Sequence, residues 1–246
     1  MRTDSTVIVT GASSGIGRAM AEAYARWGAR VVLVGRDEAK LAAVVRSLGA
    51  PDRTAAVAGD IGDPQVVERV FALARDRFGD IEILVNVAGV FGTRPVLDYT
   101  TTDLEQFVRT NLQGTVLASQ AAVRELRRRR ATGAIVNVSS AISIQPLREM
   151  PASIPNAIKA AVNGFTKSLA LEVAAEGIRV NAVAPGVIKT PLLGERERYD
   201  DLLGMQPMGQ IGEPEDVAEA IVYLASARFV TGVVLPIDGG MTVGHW

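Results

Sequence analysis

The sequence predicts a single α/β domain: a doubly wound parallel sheet of about seven strands flanked by helices. Three observations lead there. Short β-branched runs alternate with helical patterns from one end of the chain to the other. Those runs are continuously apolar, as in Val31-Val32-Leu33-Val34 and Ile83-Leu84-Val85. Such runs suit strands covered by helices on both faces. A glycine-rich turn follows the first run and opens the first helix.

The elements follow in order. Val7–Thr10 is a strand and Ile16–Trp27 a helix; Val31–Val34 a strand and Glu38–Leu48 a helix; Thr54–Ala58 a strand and Gln65–Arg77 a helix. Ile83–Asn86 is a strand and Asp103–Arg129 one long helical stretch. Ala134–Ser139 is a strand and Asn156–Ala175 a helix. Arg179–Val183, the helix Pro214–Ala225 and the strand Val233–Pro236 complete the pattern. No linker or solenoid repeat interrupts it, so residues 1–246 read as one domain. Two stretches resist regular structure, 142–155 and 191–212. Both follow strands on the side where such sheets bind ligands, which makes them candidate substrate loops.

Composition removes several function classes. The chain has 246 residues, no cysteine and one histidine, His245. Disulfides, thiolate metal sites and a multi-histidine zinc centre are excluded, and no metal is expected. A net charge of −1 offers no general attraction to nucleic acid or anionic lipid. The arginine run at 127–130 reads as the last turn of a helix, where cations complement the dipole. No run of 18 apolar residues is present, so no membrane span is expected. The polar opening, Met1 to Thr6, lacks the apolar segment of a secretory leader, and the expected compartment is the cytoplasm.

The turn Thr10-Gly11-Ala12-Ser13-Ser14-Gly15-Ile16-Gly17 carries the first chemical signal. Between a strand and a helix, its glycines let backbone approach a pyrophosphate, which then sits at the positive helix end. This is the dinucleotide-binding pattern of a Rossmann fold. The second strand ends in Gly35-Arg36. A carboxylate there would accept bonds from a ribose 2′-hydroxyl; its absence, with a guanidinium following, favours NADP(H) over NAD(H). Asp37 reads as the cap of the next helix. Asp60-Ile61 is placed to hold the adenine edge, and Asn86-Val87-Ala88-Gly89 supplies small residues, among them Ala88 and Gly89, where the cofactor passes.

These residues, in this order, resemble the short-chain dehydrogenase/reductase family over nearly the whole chain. The resemblance takes in the Thr10–Gly17 turn, Asp60, Asn86–Gly89, Asn111, Ser139-Ser140, Lys159, Pro185-Gly186 with Thr190, Thr231-Gly232 and Asp238-Gly239-Gly240. It implies hydride transfer at nicotinamide C4, a small-molecule substrate, and a homodimer or homotetramer packed through the long helices. It further implies that Pro185, Gly186, Ile188 and Thr190 frame the nicotinamide, and that Asn111, Ser140 and Lys159 are catalytic.

One family residue is missing. The pattern has a tyrosine four residues before the lysine, and here that place holds Pro155; Ile158 is also bulkier than the small residue expected beside the lysine. In the family, that tyrosine donates the proton and Lys⁺ lowers its pKa and holds the ribose. Three readings stay open. Another group supplies the proton, with Tyr199, Glu149, Ser140 and Lys159 as candidates. The substrate needs little acid, as an imine or conjugated alkene does. Or the fold performs a non-redox cyclisation, dehydration or isomerisation, or only binds cofactor. Pro155 itself is expected at the first helical position, where its missing N–H costs nothing.

Overall fold

The computed structural model describes residues 4–148, 150–193 and 202–244. Seven parallel strands are ordered β3-β2-β1-β4-β5-β6-β7. They are β1 (Thr6–Thr10), β2 (Arg30–Gly35), β3 (Thr54–Ala58), β4 (Ile83–Asn86), β5 (Gly133–Val138), β6 (Ile178–Pro185) and β7 (Val234–Ile237). The order reverses between β1 and β4, which pair in register from Val7↔Ile83 to Thr10↔Asn86. That reversal opens a crevice at the carboxyl ends of the strands.

Alternation along each strand sends side chains to two cores. Val7 and Val9 of β1 pack with α1 (Gly15–Arg26), α2 (Glu38–Leu48) and α7 (Pro214–Ser226), through Met20, Val44 and Ile221. Ile8 faces the other layer and meets α3 (Pro64–Phe78), α5 (Gly114–Arg129) and α6 (Ser153–Val173), through Val70, Leu126 and Val173. All nine of these side chains are buried. At ~1.5–3 kcal/mol for each large apolar side chain, the two layers fix the sheet on which the site stands. No helix among the described residues is long and apolar enough to cross a membrane.

Most boundaries fall within two residues of expectation, and two departures bear on the site. The stretch expected as one helix over 103–129 is three pieces: α4 (Thr101–Phe107), a π-helical turn (Val108–Gln113) and α5. Thr100 and Asp103 form a reciprocal capping box that starts α4 earlier. The π turn holds Asn111, whose amide is pulled onto the neighbouring loop; insertions of this kind recur at functional sites. The second departure is α6, which begins at Ser153 rather than Asn156. Pro155 is therefore the third helical residue. It still lies in the first turn, where N–H groups have no intrahelical partner, so the ring is tolerated. The arginine run ends α5 as expected: Arg127 and Arg128 pair with Glu176 and Glu125, and Arg129 with Asp80.

Candidate active site

The crevice is a cavity of about 1010 Å³ running from the end of β2 to the start of α6. Its floor is tied together by Thr10, whose hydroxyl accepts from the backbone N–H groups of Val87 and Ala88, both at 3.0 Å. Gly11 stands at φ +68°, and a Cβ there would lie 2.8 Å from Ala88 backbone. On Gly17 a Cβ would lie 2.2 Å from the Gly11 carbonyl oxygen. The turn is as tight as its glycines allow. Ser14, the N-cap of α1, makes no side-chain capping bond. The first N–H groups of α1, which have no partner within the helix, are thus left without a side-chain cap, and Ser13, Ser14, Gly15 and Ile16 line the cavity there. That is an anion cradle fit for a pyrophosphate.

At one end, Arg36 and Lys40 both line the cavity and are exposed. Lys40 pairs with Asp37 at 3.5 Å, and the Asp37 carboxylate caps α2 by accepting from the Lys40 N–H. Sequence reasoning singled out Arg36, which directly follows the β2 glycine, and missed Lys40 in the first turn of α2. Asp60 lines the cavity with its oxygens engaged. One accepts from Gly62 N–H at 2.9 Å, the other from Arg109 at 2.7 Å. Burial works to raise its pKa, but the bonds from Arg109 and Gly62 and the charges of Arg109 and Arg36 outweigh that and hold it low. Ile61 is buried beside it and lines the same wall.

Ala88 and Gly89 line the cavity, but Asn86 does not. Its amide nitrogen is spent beneath the floor, donating to Ser119 and to Asn137, which continues to Thr166. Asn111 is also absent from the lining. Its oxygen accepts from Val90 N–H at 2.8 Å and its nitrogen donates to Val90 O at 3.0 Å. It therefore positions the Gly89–Phe91 loop rather than facing the cavity. A Cβ on Gly89 would lie 2.6 Å from the Asn111 oxygen and 3.6 Å from Lys159 Nζ, so glycine is needed where these three meet.

Lys159 lines the cavity from α6 while remaining buried, and its Nζ donates to Val138 O at 2.8 Å. Burial pushes its pKa down to about 8. Ser140 lines the cavity half-buried. The neighbouring Ser139 points inward, its hydroxyl donating to Lys159 O at 3.2 Å and touching Ser143, which anchors the lysine's turn. Pro155 is buried and lines no part of the cavity. No tyrosine among the described residues lines it either: Tyr24 is buried in the core, Tyr223 lies exposed on α7, and Tyr99 donates to Gly92 O. Tyr199 and Glu149, the other proton candidates, lie outside the described residues, as does His245.

Pro185, Gly186, Ile188 and Thr190 line the cavity opposite the glycine turn. Thr190 reaches it: a Cβ on Gly15 would lie 3.0 Å from Thr190 Cγ2. Behind Gly186 sits the Asp238 turn, whose carboxylate accepts from Gly240 and Thr242. The loops contribute Ile142 and Met150 on one side and Leu192, Leu193 and Leu202 on the other. Phe91 and Met241 also face the cavity. Neither gave a sequence signal, since one lies in an irregular loop and the other beyond the last strand. They pack with Ile142 and Ala152 into an apolar cap.

Residues 11–242 match a family model described as Enoyl-(Acyl carrier protein) reductase. L-rhamnose 1-dehydrogenase (NAD(P)(+)) of Azotobacter vinelandii is 39% identical over 251 residues, covering 98% of this chain and 97% of that protein. The 3-oxoacyl-[acyl-carrier-protein] reductase of Vibrio cholerae is 36% identical over 239 residues, covering 95% and 96%. Among solved structures, ElxO with NADP bound superposes with a TM-score of 0.91 at 30% identity, covering 98% of this chain and all of that one. A 3-ketoacyl-(acyl-carrier-protein) reductase from Brucella melitensis, complexed with NADH, gives 0.91 at 32% identity with the same coverage.

Proposed function

The chain belongs to the short-chain dehydrogenase/reductase family, and from that premise we propose that it is an NADP(H)-dependent reductase whose proton comes from Lys159 rather than from a tyrosine. The observation that carries this reading is the buried Lys159 ammonium facing the cavity with one carbonyl partner, Val138 O, and no phenol beside it among the described residues. Bound NADPH would supply a hydride.

The chain's own residues do the rest. The α1 N-terminus and Ser13–Gly17 hold the pyrophosphate, and Arg36 with Lys40 accepts a 2′-phosphate. Gly89, held by Asn111, leaves room for the ribose. Pro185 to Thr190 keeps the nicotinamide face turned toward Ser140 and Lys159. Ser140 donates a hydrogen bond to the acceptor's heteroatom, and Lys159 donates the proton. An ammonium whose pKa is near 8 is a stronger acid than an ordinary phenol near 10 and is poised close to working pH.

The favoured acceptor is an imine or a conjugated alkene. An imine takes the proton at its nitrogen and the hydride at its carbon, which leaves an amine. A conjugated enone takes the hydride at its β-carbon while Lys159 gives the proton to its carbonyl oxygen, which leaves an enol. The apolar cap of Phe91, Ile142, Met150 and Met241 suits a medium-sized, partly apolar molecule. The same reading carries a cytoplasmic homodimer or homotetramer, supported by the exposed Leu171 on α6.

The test is absorbance at the nicotinamide band with NADPH and a panel of simple ketones, cyclic imines and conjugated enones. Turnover of imines or enones with little on ketones is expected. Cofactor binding without oxidation by any acceptor would overturn the reading in favour of a non-redox enzyme or a silent binder on this fold.

A further inference from the structure

A second cavity of about 440 Å³ adjoins the cofactor cleft, and Arg94, Ile142 and Met150 line both. Its walls are largely apolar, with Val96, Leu147 and Pro151 among them. Its charged groups are two guanidiniums, Arg94 and Arg148, and no described residue lining it carries a carboxylate.

Arg94 is held in place. One of its N–H groups lies 3.3 Å from Asp103, and its plane sits 5.2 Å over the Tyr99 ring. Tyr99 is fixed in turn by donating to Gly92 O at 2.9 Å. Asp103 also accepts from the Thr100 N–H and hydroxyl, so its charge is shared. A guanidinium has five N–H donors, and most of those on Arg94 remain for another partner. Arg148 is exposed and makes no ion pair among the described residues. The first turn of α6 adds Ser153 and Asn156 to the same wall. There the N-cap Ala152 brings no side-chain acceptor, so the helix end stays positive.

Resting on the reductase reading above, we propose that this side cavity seats an anionic end of the acceptor, a carboxylate or a phosphate, on a short apolar stem, while the reacting double bond lies in the main cleft. A forked guanidinium is the side chain best matched to either oxyanion. The apolar walls exclude water from the stem and strengthen the pairing. The turn that carries a phenol elsewhere in the family here contributes Ser153 and Asn156 to substrate recognition, while its Pro155 faces neither cavity.

The experiment is calorimetric titration of the full-length protein, saturated with NADP⁺ so that the cofactor site is filled. The probes are octanoate, octyl phosphate and octan-1-ol. At least one anion is expected to bind tenfold or more tightly than the alcohol. Arg148→Ala should weaken that anion at least tenfold, and Arg94→Ala/Arg148→Ala further. Arg228→Ala, an exposed arginine outside both cavities, should change nothing. Melting curves without ligand check that each variant folds. Tighter octanoate identifies a carboxylate, tighter octyl phosphate a phosphate ester. Equal binding of anion and alcohol, no binding of any probe, or anion binding indifferent to Arg148→Ala would overturn the proposal. Failure of the reductase reading shows separately, as no NADPH oxidation with any acceptor, and leaves the binding result standing.

Discussion

At the adenosine end of the cleft the wall is mostly backbone: Gly11, Gly15 and Gly17 leave room for N–H groups, and the Thr10 hydroxyl ties two strands beneath them. At the other end the wall is mostly side chains: Phe91, Ile142, Met150, Lys159 and Met241 arrive from four separate segments. A backbone wall recognises a ligand by geometry that only glycine permits, so it tolerates little change. A side-chain wall can exchange one residue and keep its frame. This chain carries Pro155 four residues before Lys159, at the place where the sequence resemblance implies a phenol, and its fold superposes on reductase structures at a TM-score of 0.91.

The largest expected effect lies at the side-chain end. Lys159→Met should lower kcat for NADPH oxidation by about 10²–10⁴-fold, the range for loss of a positioned acid. Steady-state kinetics at saturating NADPH measures it. A loss under threefold would place the proton source elsewhere.

The same lysine governs stability, and the sign follows from its depressed pKa. Its ammonium loses its proton near pH 8 in the folded protein and near 10.5 when exposed in the unfolded chain. Between those values the unfolded chain binds more protons, so stability rises with pH. Below about pH 8 both states are charged and the folded one carries the cost of burial. The rise should reach on the order of 3 kcal/mol at most and be absent in Lys159→Met, whose stability at pH 7 should exceed wild type. Urea titrations at several pH values, taken as the difference between the two proteins, isolate it.

The backbone end should break differently. Gly17→Ala drives a Cβ onto the Gly11 carbonyl, with no flexible side chain to give way. A stability loss of ~1–3 kcal/mol is expected, together with loss of most NADPH binding. Denaturant unfolding and nicotinamide fluorescence report both. The smallest effect is at Arg36: Arg36→Ala should weaken NADPH about tenfold and leave NADH nearly unchanged, since one exposed charge-assisted contact is removed. Equal loss of both cofactors would contradict a role in reading the 2′-phosphate.

What was legible in the sequence follows the same division. The glycine turn, the succession of strands and helices and the Asp37 cap are set by short-range rules, and the residues that obey them stand together in the chain. Arg36 and Lys159 announce themselves through position after a strand or within a helix. Phe91 and Met241 do not, because their role depends on packing between segments 150 residues apart, a separation that no local pattern encodes. Asn86 and Asn111 sit where the motifs put them, but their amides turn to Ser119, Asn137 and Val90 instead of the cleft. A sequence gives the address of such a side chain and leaves its direction to the hydrogen bonds around it. The π turn at 108–113 was hidden for the same reason, since apolar spacing reads through it as one helix.

The measurement that bears most directly on proton delivery is the pH dependence of kcat/KM for NADPH oxidation with one conjugated enone, from about pH 6 to pH 10. With Lys159 as the acid, the rate stays level at low pH and falls tenfold per unit above about pH 8, where the buried ammonium loses its proton. A rate that holds level through pH 10, or the same profile in Lys159→Met, would contradict it.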